Sequence, residues 1–202
     1  MKFLNVDLFS YSGIKRAIKI GLGDSDLVDV AISPNLHAIS NLFTAKNQGK
    51  AFVLLRHPIE RLLEKYINTY KIEPNLVALR NLTKNASENN YLTRQLSNGQ
   101  QSPSLTTEHL EIAKIVLRSK FLIGFTEKIN ESFHRFRVYF GWTNISSDTC
   151  EKSVLNLSKL KNYAQNLNEK ELKLMQDSNS LDLQLYKYAE TLFEEQVQFF
   201  GN

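Results

Sequence analysis

Residues 51 to 66, AFVLLRHPIERLLEKY, constrain this chain more than any other stretch. Five apolar residues in a row, Ala51 to Leu55, leave no polar face and read as a strand buried on both sides, as in a parallel sheet. Arg56 ends the run. Pro58 then opens a segment in which Ile59, Leu62, Leu63, Tyr66, Ile67 and Tyr70 recur at helical spacing. Pro suits the first helical position because it has no N–H to leave unpaired and its φ is already set. The remaining N–H groups of that first turn point outward at the positive end of the helix dipole. A strand that delivers an Arg to such a helix start therefore forms an anion site, and the flat, forked guanidinium matches phosphate.

The same alternation runs along the chain. FLNVDL (3 to 8) reads as a first strand, followed by a Gly-containing loop and a helix from about Ile14 to Ile20. LVDVAI (27 to 32) reads as a second strand, with a short helix from Leu36 to Thr44. Residues 75 to 103, rich in Asn, Ser and Gln, read as a long polar connection of the kind that carries function. Thr106 is placed to cap a helix bearing Leu110, Ala113 and Leu117, FLIGF (121 to 125) is a further buried strand, and Thr126 is placed to cap the next helix. That helix carries the stripe Ile129, Phe133, Phe136 and Phe140 and stops at Gly141, beside which Trp142 reads as a packing anchor. A polar region from 146 to 180 leads to a last helix with Leu185, Tyr188, Ala189, Leu192 and Phe199 on one side. Strands alternating with helices predict a single α/β domain over residues 1–202, three layers (α/β/α) around a mainly parallel sheet.

At 202 residues, 42% of them apolar and 23% charged, the chain has the make-up of one folded domain with a sizeable core. The lone Cys150 forms no internal disulfide, which fits a reducing interior and predicts a cytoplasmic location. His37, His57, His109 and His134 lack ligand spacing, so no metal is expected. No apolar run approaches the roughly 20 residues of a membrane span. A net charge of +4 favours anionic small molecules without the dense basic runs that nucleic acid requires.

RHPIERLLEKY resembles the 3′-phosphate-binding segment of sulfotransferases that use 3′-phosphoadenosine 5′-phosphosulfate (PAPS), in which Arg-Asp/His-Pro is followed by Arg, Ser and an aromatic residue. YLTRQL (91 to 96), residues 105 to 142 and LDLQLYKYAETLFEEQ (181 to 196) resemble, in order, later blocks of the membrane-type, carbohydrate-directed branch. The resemblance implies a fold like that of P-loop nucleotide hydrolases. It also implies PAPS as co-substrate, and transfer of a sulfuryl group to a hydroxyl of a saccharide or similar acceptor. The alternative is a member that keeps the fold, has lost turnover and serves as a binding or scaffold subunit.

Sulfuryl transfer needs a clamp for the 3′-phosphate, a cradle for the 5′-phosphosulfate and a base for the acceptor proton. By resemblance Arg56 is the clamp. Glu64 stands where relatives carry a Ser that donates to the same phosphate, and two like charges about 4 Å apart at an effective dielectric of about 20 repel by roughly 4 kcal/mol. Arg61, three residues earlier, is placed to pair with Glu64 and turn it aside, although a solvated surface pair explains both residues equally well. In the loop after the first strand, Ser10 replaces the family's lysine and Ile14 a hydroxyl residue, with Ser12 and Gly13 between them. Lys15 and Arg16 either supply the missing charge or are ordinary exposed helix residues. His37 is the candidate base, with helix packing as its plainer role, and Arg94 in the Asn-x-x-Thr-Arg-x-Leu element is a further candidate beside the nucleotide.

Overall fold

The structure, a computed structural model, describes residues 5–85, 87–142 and 161–200. The chain divides into two compact units, Met1–Lys50 and Ala51–Asn202.

In the first unit, α1 (Tyr11–Lys19) begins three residues before its predicted start because the Ser10 hydroxyl accepts the Gly13 N–H at 3.1 Å. Ile14 and Ala17 pack with Leu22, Ile39 and Leu42 into a small core. The predicted helix over 36 to 44 is a single turn, α2 (Leu36–Ile39), followed by a 3₁₀ turn at Ser40–Leu42. Neither predicted strand is formed over its described residues. Residues 5–8 and 27–32 carry no ladder, and no strand occurs among the described residues of this unit. Their apolar side chains divide between two fates: Val6 and Leu8 pack on the α1 core, whereas Leu27 and Ile32 are each 64% exposed.

The second unit opens with β1 (Ala51–Leu55) and α3 (Pro58–Tyr70), with Pro58 at the helix start as the sequence predicts. Next come α4 (Leu76–Lys84) and α5 (Tyr91–Leu96), which fill much of the stretch that reads as a loop. α6 (Thr107–Lys120) leads to β2 (Phe121–Phe125), and α7 (Ile129–Phe140) follows. After residues 143–160, which lie outside the described residues and include Cys150, come a 3₁₀ turn (Ala164–Asn166), α8 (Glu169–Ser178), α9 (Ser180–Glu195) and a closing 3₁₀ turn at Gln196–Phe199. β1 and β2 pair in parallel from Ala51↔Phe121 to Leu55↔Phe125, so α3 to α6 form the crossover between adjacent strands. On the other side of β2, the Gln196 side chain accepts the Ile123 N–H and donates to the Phe121 carbonyl, each at 2.9 Å, as a neighbouring strand would.

Ile59, Leu62 and Leu63 of α3 are fully buried against Leu79 and Met175. Phe136 meets Phe52 with ring centroids 4.8 Å apart, and Trp142 stacks on Phe140, also at 4.8 Å. Gly141, in the left-handed region at φ 68°, lets Trp142 N–H return to the Arg137 carbonyl and end α7. Three expectations are corrected. Tyr70 and Phe199 are 60% and 56% exposed and belong to no core. β1 is only partly buried, with Leu54 37% exposed. Thr126 does not cap α7: its N–H continues the ladder to the Leu55 carbonyl at 2.8 Å, and a turn closed by the Lys128 N–H on the Phe125 carbonyl at 3.2 Å then leads into the helix. The architecture is thus mostly helical, with a parallel two-stranded sheet among the described residues.

Candidate functional site

Arg56 leaves β1 at its carboxyl end, where open parallel sheets bind ligands. Its side chain is only 9% exposed, and its donors are engaged. Nη1 donates to the Glu64 carboxylate, and Nη2 donates to the Lys161 carbonyl at 2.9 Å and lies 3.9 Å from Glu60 Oε2. Glu60, one helical turn beyond Arg56 and itself buried, accepts the N–H groups of Tyr163 and Ala164 at 2.8 and 2.9 Å. Two carboxylates therefore face one guanidinium. They differ in setting: Glu60 is fixed by backbone, while the Glu64 side chain is 30% exposed.

A third carboxylate completes the strand end. Glu127 accepts the His57 N–H through Oε1 at 3.1 Å and the Tyr186 hydroxyl through Oε2 at 3.2 Å, so an acid of the protein lies at the start of α3 where the sequence predicts an external anion. Burial, and then the negative charge of Glu127, push the Tyr186 hydroxyl far above its ordinary range, which keeps it a donor. The His57 ring packs edge-on against Tyr186, consistent with a structural role. Beyond β2 lies a groove of about 410 Å³ lined by Phe125, Glu127, Lys128, Tyr186, Glu190, Thr191 and Glu194. Lys128 is spent on Glu194 at 2.9 Å, so the lining is acidic and unsuited to phosphate.

Arg61 does not pair with Glu64. It lies over the Tyr91 ring at 4.7 Å and donates through Nη2 to the Glu88 carbonyl, while Lys65 holds the Glu88 carboxylate at 2.6 Å. This leaves Glu64 to Arg56.

Arg94 is 94% buried in backbone carbonyls, those of Asn89 (3.2 Å), Gly99 (3.1 Å) and Ser102 (2.6 Å), and braces the turn after α5. The rest of its sequence element is a pair of exchanged caps. Asp182, in the first turn of α9, accepts the N–H groups of Leu92 and Thr93 and the Thr93 hydroxyl at 2.8 to 2.9 Å. Asn90, at the start of α5, returns the service through Oδ1, accepting Leu181 N–H and Asp182 N–H at 2.9 and 3.0 Å. Burial raises the Asp182 carboxyl above its ordinary value, against the opposing pull of the Thr93 and Leu92 amides.

Ser12, Gly13, Lys15, Arg16 and His37 belong to the first unit. The Gly13 N–H is taken by Ser10, whose hydroxyl also donates to the Asp7 carbonyl at 3.2 Å. A Cβ on Gly13 would lie 1.8 Å from that carbonyl, so this glycine serves close chain approach. The Asp7 side chain accepts the Phe9 N–H at 2.9 Å. The loop thus bonds to itself with an acid at its mouth, unlike an open cradle of amides. Ser12, Lys15 and Arg16 are exposed, and His37 is half-buried in α2, its carbonyl accepting from Ser40 and Asn41.

Sequence reasoning missed Glu60 and Glu127. Glu60 carried a signal, since it stands four residues after Arg56, the spacing that joins an ion pair on a helix. Glu127 lies 70 residues from its partner His57 and had none. No helix of the described residues is long and apolar enough to cross a membrane. Comparison with family models, with curated proteins and with solved structures returns no match.

Proposed function

We propose that this chain is a nucleotide-binding domain of the PAPS-dependent sulfotransferase type, with Arg56 as the seat of the nucleotide's 3′-phosphate. In that reading β1 and β2 belong to a three-layer α/β/α fold of the P-loop kind. A sulfuryl group passes from PAPS to a hydroxyl of a saccharide or similar acceptor, with His37 as base and Lys15 or Arg16 at the transferred group. One observation supports the reading above the others. Arg56, nine-tenths buried at the tip of a parallel strand and two residues ahead of a Pro-opened helix, already holds one oxyanion, the Glu64 carboxylate, with a second, Glu60, 3.9 Å away.

A second reading rests on the first unit: the fold is kept, transfer is lost and the domain binds or scaffolds. Its support is the Ser10 hydroxyl, which stands in the lysine position and consumes the Gly13 N–H. Titration with 3′-phosphoadenosine 5′-phosphate, followed by thermal shift, tests the seat. A rise in midpoint that disappears in Arg56→Ala is expected, because a ligand that binds only the native state stabilises it. No shift at millimolar nucleotide would remove the nucleotide reading altogether. Release of labelled sulfate from PAPS onto a saccharide mixture then separates the two readings.

A further inference from the structure

We infer that Glu64 is a displaceable plug: an internal carboxylate that occupies the Arg56 fork in the absence of ligand and must leave before a phosphate-type anion enters. This regulatory assignment rests on the reading of Arg56 as an anion seat and adds to it the group that controls entry.

Three observations distinguish Glu64 from its neighbours. Of the two acids around the guanidinium, Glu60 is pinned by the backbone N–H groups of Tyr163 and Ala164, so moving it strips two donors of their partner. Glu64 contacts the fork as a hydrogen-bonded ion pair, and its side chain is 30% exposed against 11% for Glu60, so it reaches water by rotation alone. Among the described residues the cations next to it on α3 are committed elsewhere, Arg61 to Tyr91 and Glu88, and Lys65 to Glu88. With Glu64 in place, the fork faces two negative charges for one positive. With Glu64 removed and Glu60 retained, Nη2 stays on the Lys161 carbonyl and Nη1 is freed, a charged donor open to an oxygen of a phosphate.

The chemical class admitted is a tetrahedral oxyanion small enough to replace a carboxylate, either inorganic phosphate or a phosphomonoester at the end of a larger ligand. Repulsion between Glu64 and that anion is the barrier, so neutralising the side chain at constant shape lowers it while the fold stays intact.

The experiment measures, by isothermal titration, the binding of inorganic phosphate and of 3′-phosphoadenosine 5′-phosphate to the wild type, Glu64→Gln, Glu64→Ser and Arg56→Ala/Glu64→Gln, with circular dichroism to confirm folding. We expect the neutral variants to bind at least one of the two ligands about tenfold or more tightly than the wild type, and the double variant to lose the gain. If the nucleotide shows the gain, the plug and the nucleotide reading both stand. If only inorganic phosphate shows it, the plug stands and the nucleotide reading fails. Equal affinity in wild type and neutral variants overturns the plug, and loss of that binding in the double variant would leave the seat in place. Absence of binding by any variant overturns both.

Discussion

Arg56 and Arg94 both have buried side chains, both lie in a segment that the sequence marks as a binding element, and both make several hydrogen bonds, yet they hold different things. Arg56 grips the Glu64 carboxylate, on a side chain that reaches solvent, together with the Lys161 carbonyl, whereas Arg94 grips backbone carbonyls alone, three of them. A carboxylate in a guanidinium fork can be exchanged for another oxyanion, since charge and geometry are alike. A carbonyl cannot leave without the chain that carries it. The partner's mobility, more than the depth of burial, separates an anion seat from a brace.

The widest test of this contrast is Arg94→Ala. It leaves the carbonyls of Asn89, Gly99 and Ser102 without their charged donor, and at 1.5 to 3 kcal/mol for a hydrogen bond to a charged group we expect a loss of about 3 kcal/mol in urea unfolding. Affinity for any anion should follow the folded fraction alone. Arg56→Ala should destabilise less, by about 2 kcal/mol, because removal of the cation also releases Glu64 to water, and it should abolish anion binding. Equal stability losses with unchanged binding in both would end the distinction.

A smaller effect is expected at Asp182. Its native carboxyl is raised above the ordinary value, so its favourable contribution is full below the unfolded value of 3.8 and is lost as pH rises through the native value. The stability difference between the wild type and Asp182→Asn should therefore shift in favour of Asn between acid and neutral pH; a constant difference would mean that the Asp182 carboxyl titrates alike in the native and unfolded states. The smallest effect should come from Lys128→Ala, which removes an exposed pair with Glu194 and should cost about 0.5 kcal/mol or less, setting the scale for surface charge in this protein.

Legibility in the sequence tracked how local the determining contact was. The α3 start at Pro58, the α6 cap at Thr106 and the α7 stop at Gly141 depend on neighbours a few residues away, and all three are present. β1 and β2 were each legible as strands because unbroken apolar runs suit a parallel sheet, while their pairing with one another was not predicted. LVDVAI has comparable apolar content but no ladder partner, and pairing is the part of a strand that no single segment encodes. At the candidate site, Arg56 was visible as a strand-end cation and Glu64 as an unexpected acid. Their direct contact was not anticipated, because the sequence also offered Arg61, whose commitment to Glu88 and Tyr91 depends on residues 27 and 30 positions away.

The exchange of caps between Asn90 and Asp182 has a kinetic meaning. Each helix start is closed by a side chain belonging to the other, so neither α5 nor α9 can fray at that end while its counterpart stays intact. The amides of Leu92, Thr93, Leu181 and Asp182 should then trade their protons for deuterium at one common rate, as a single cooperative opening that spans half the length of the chain.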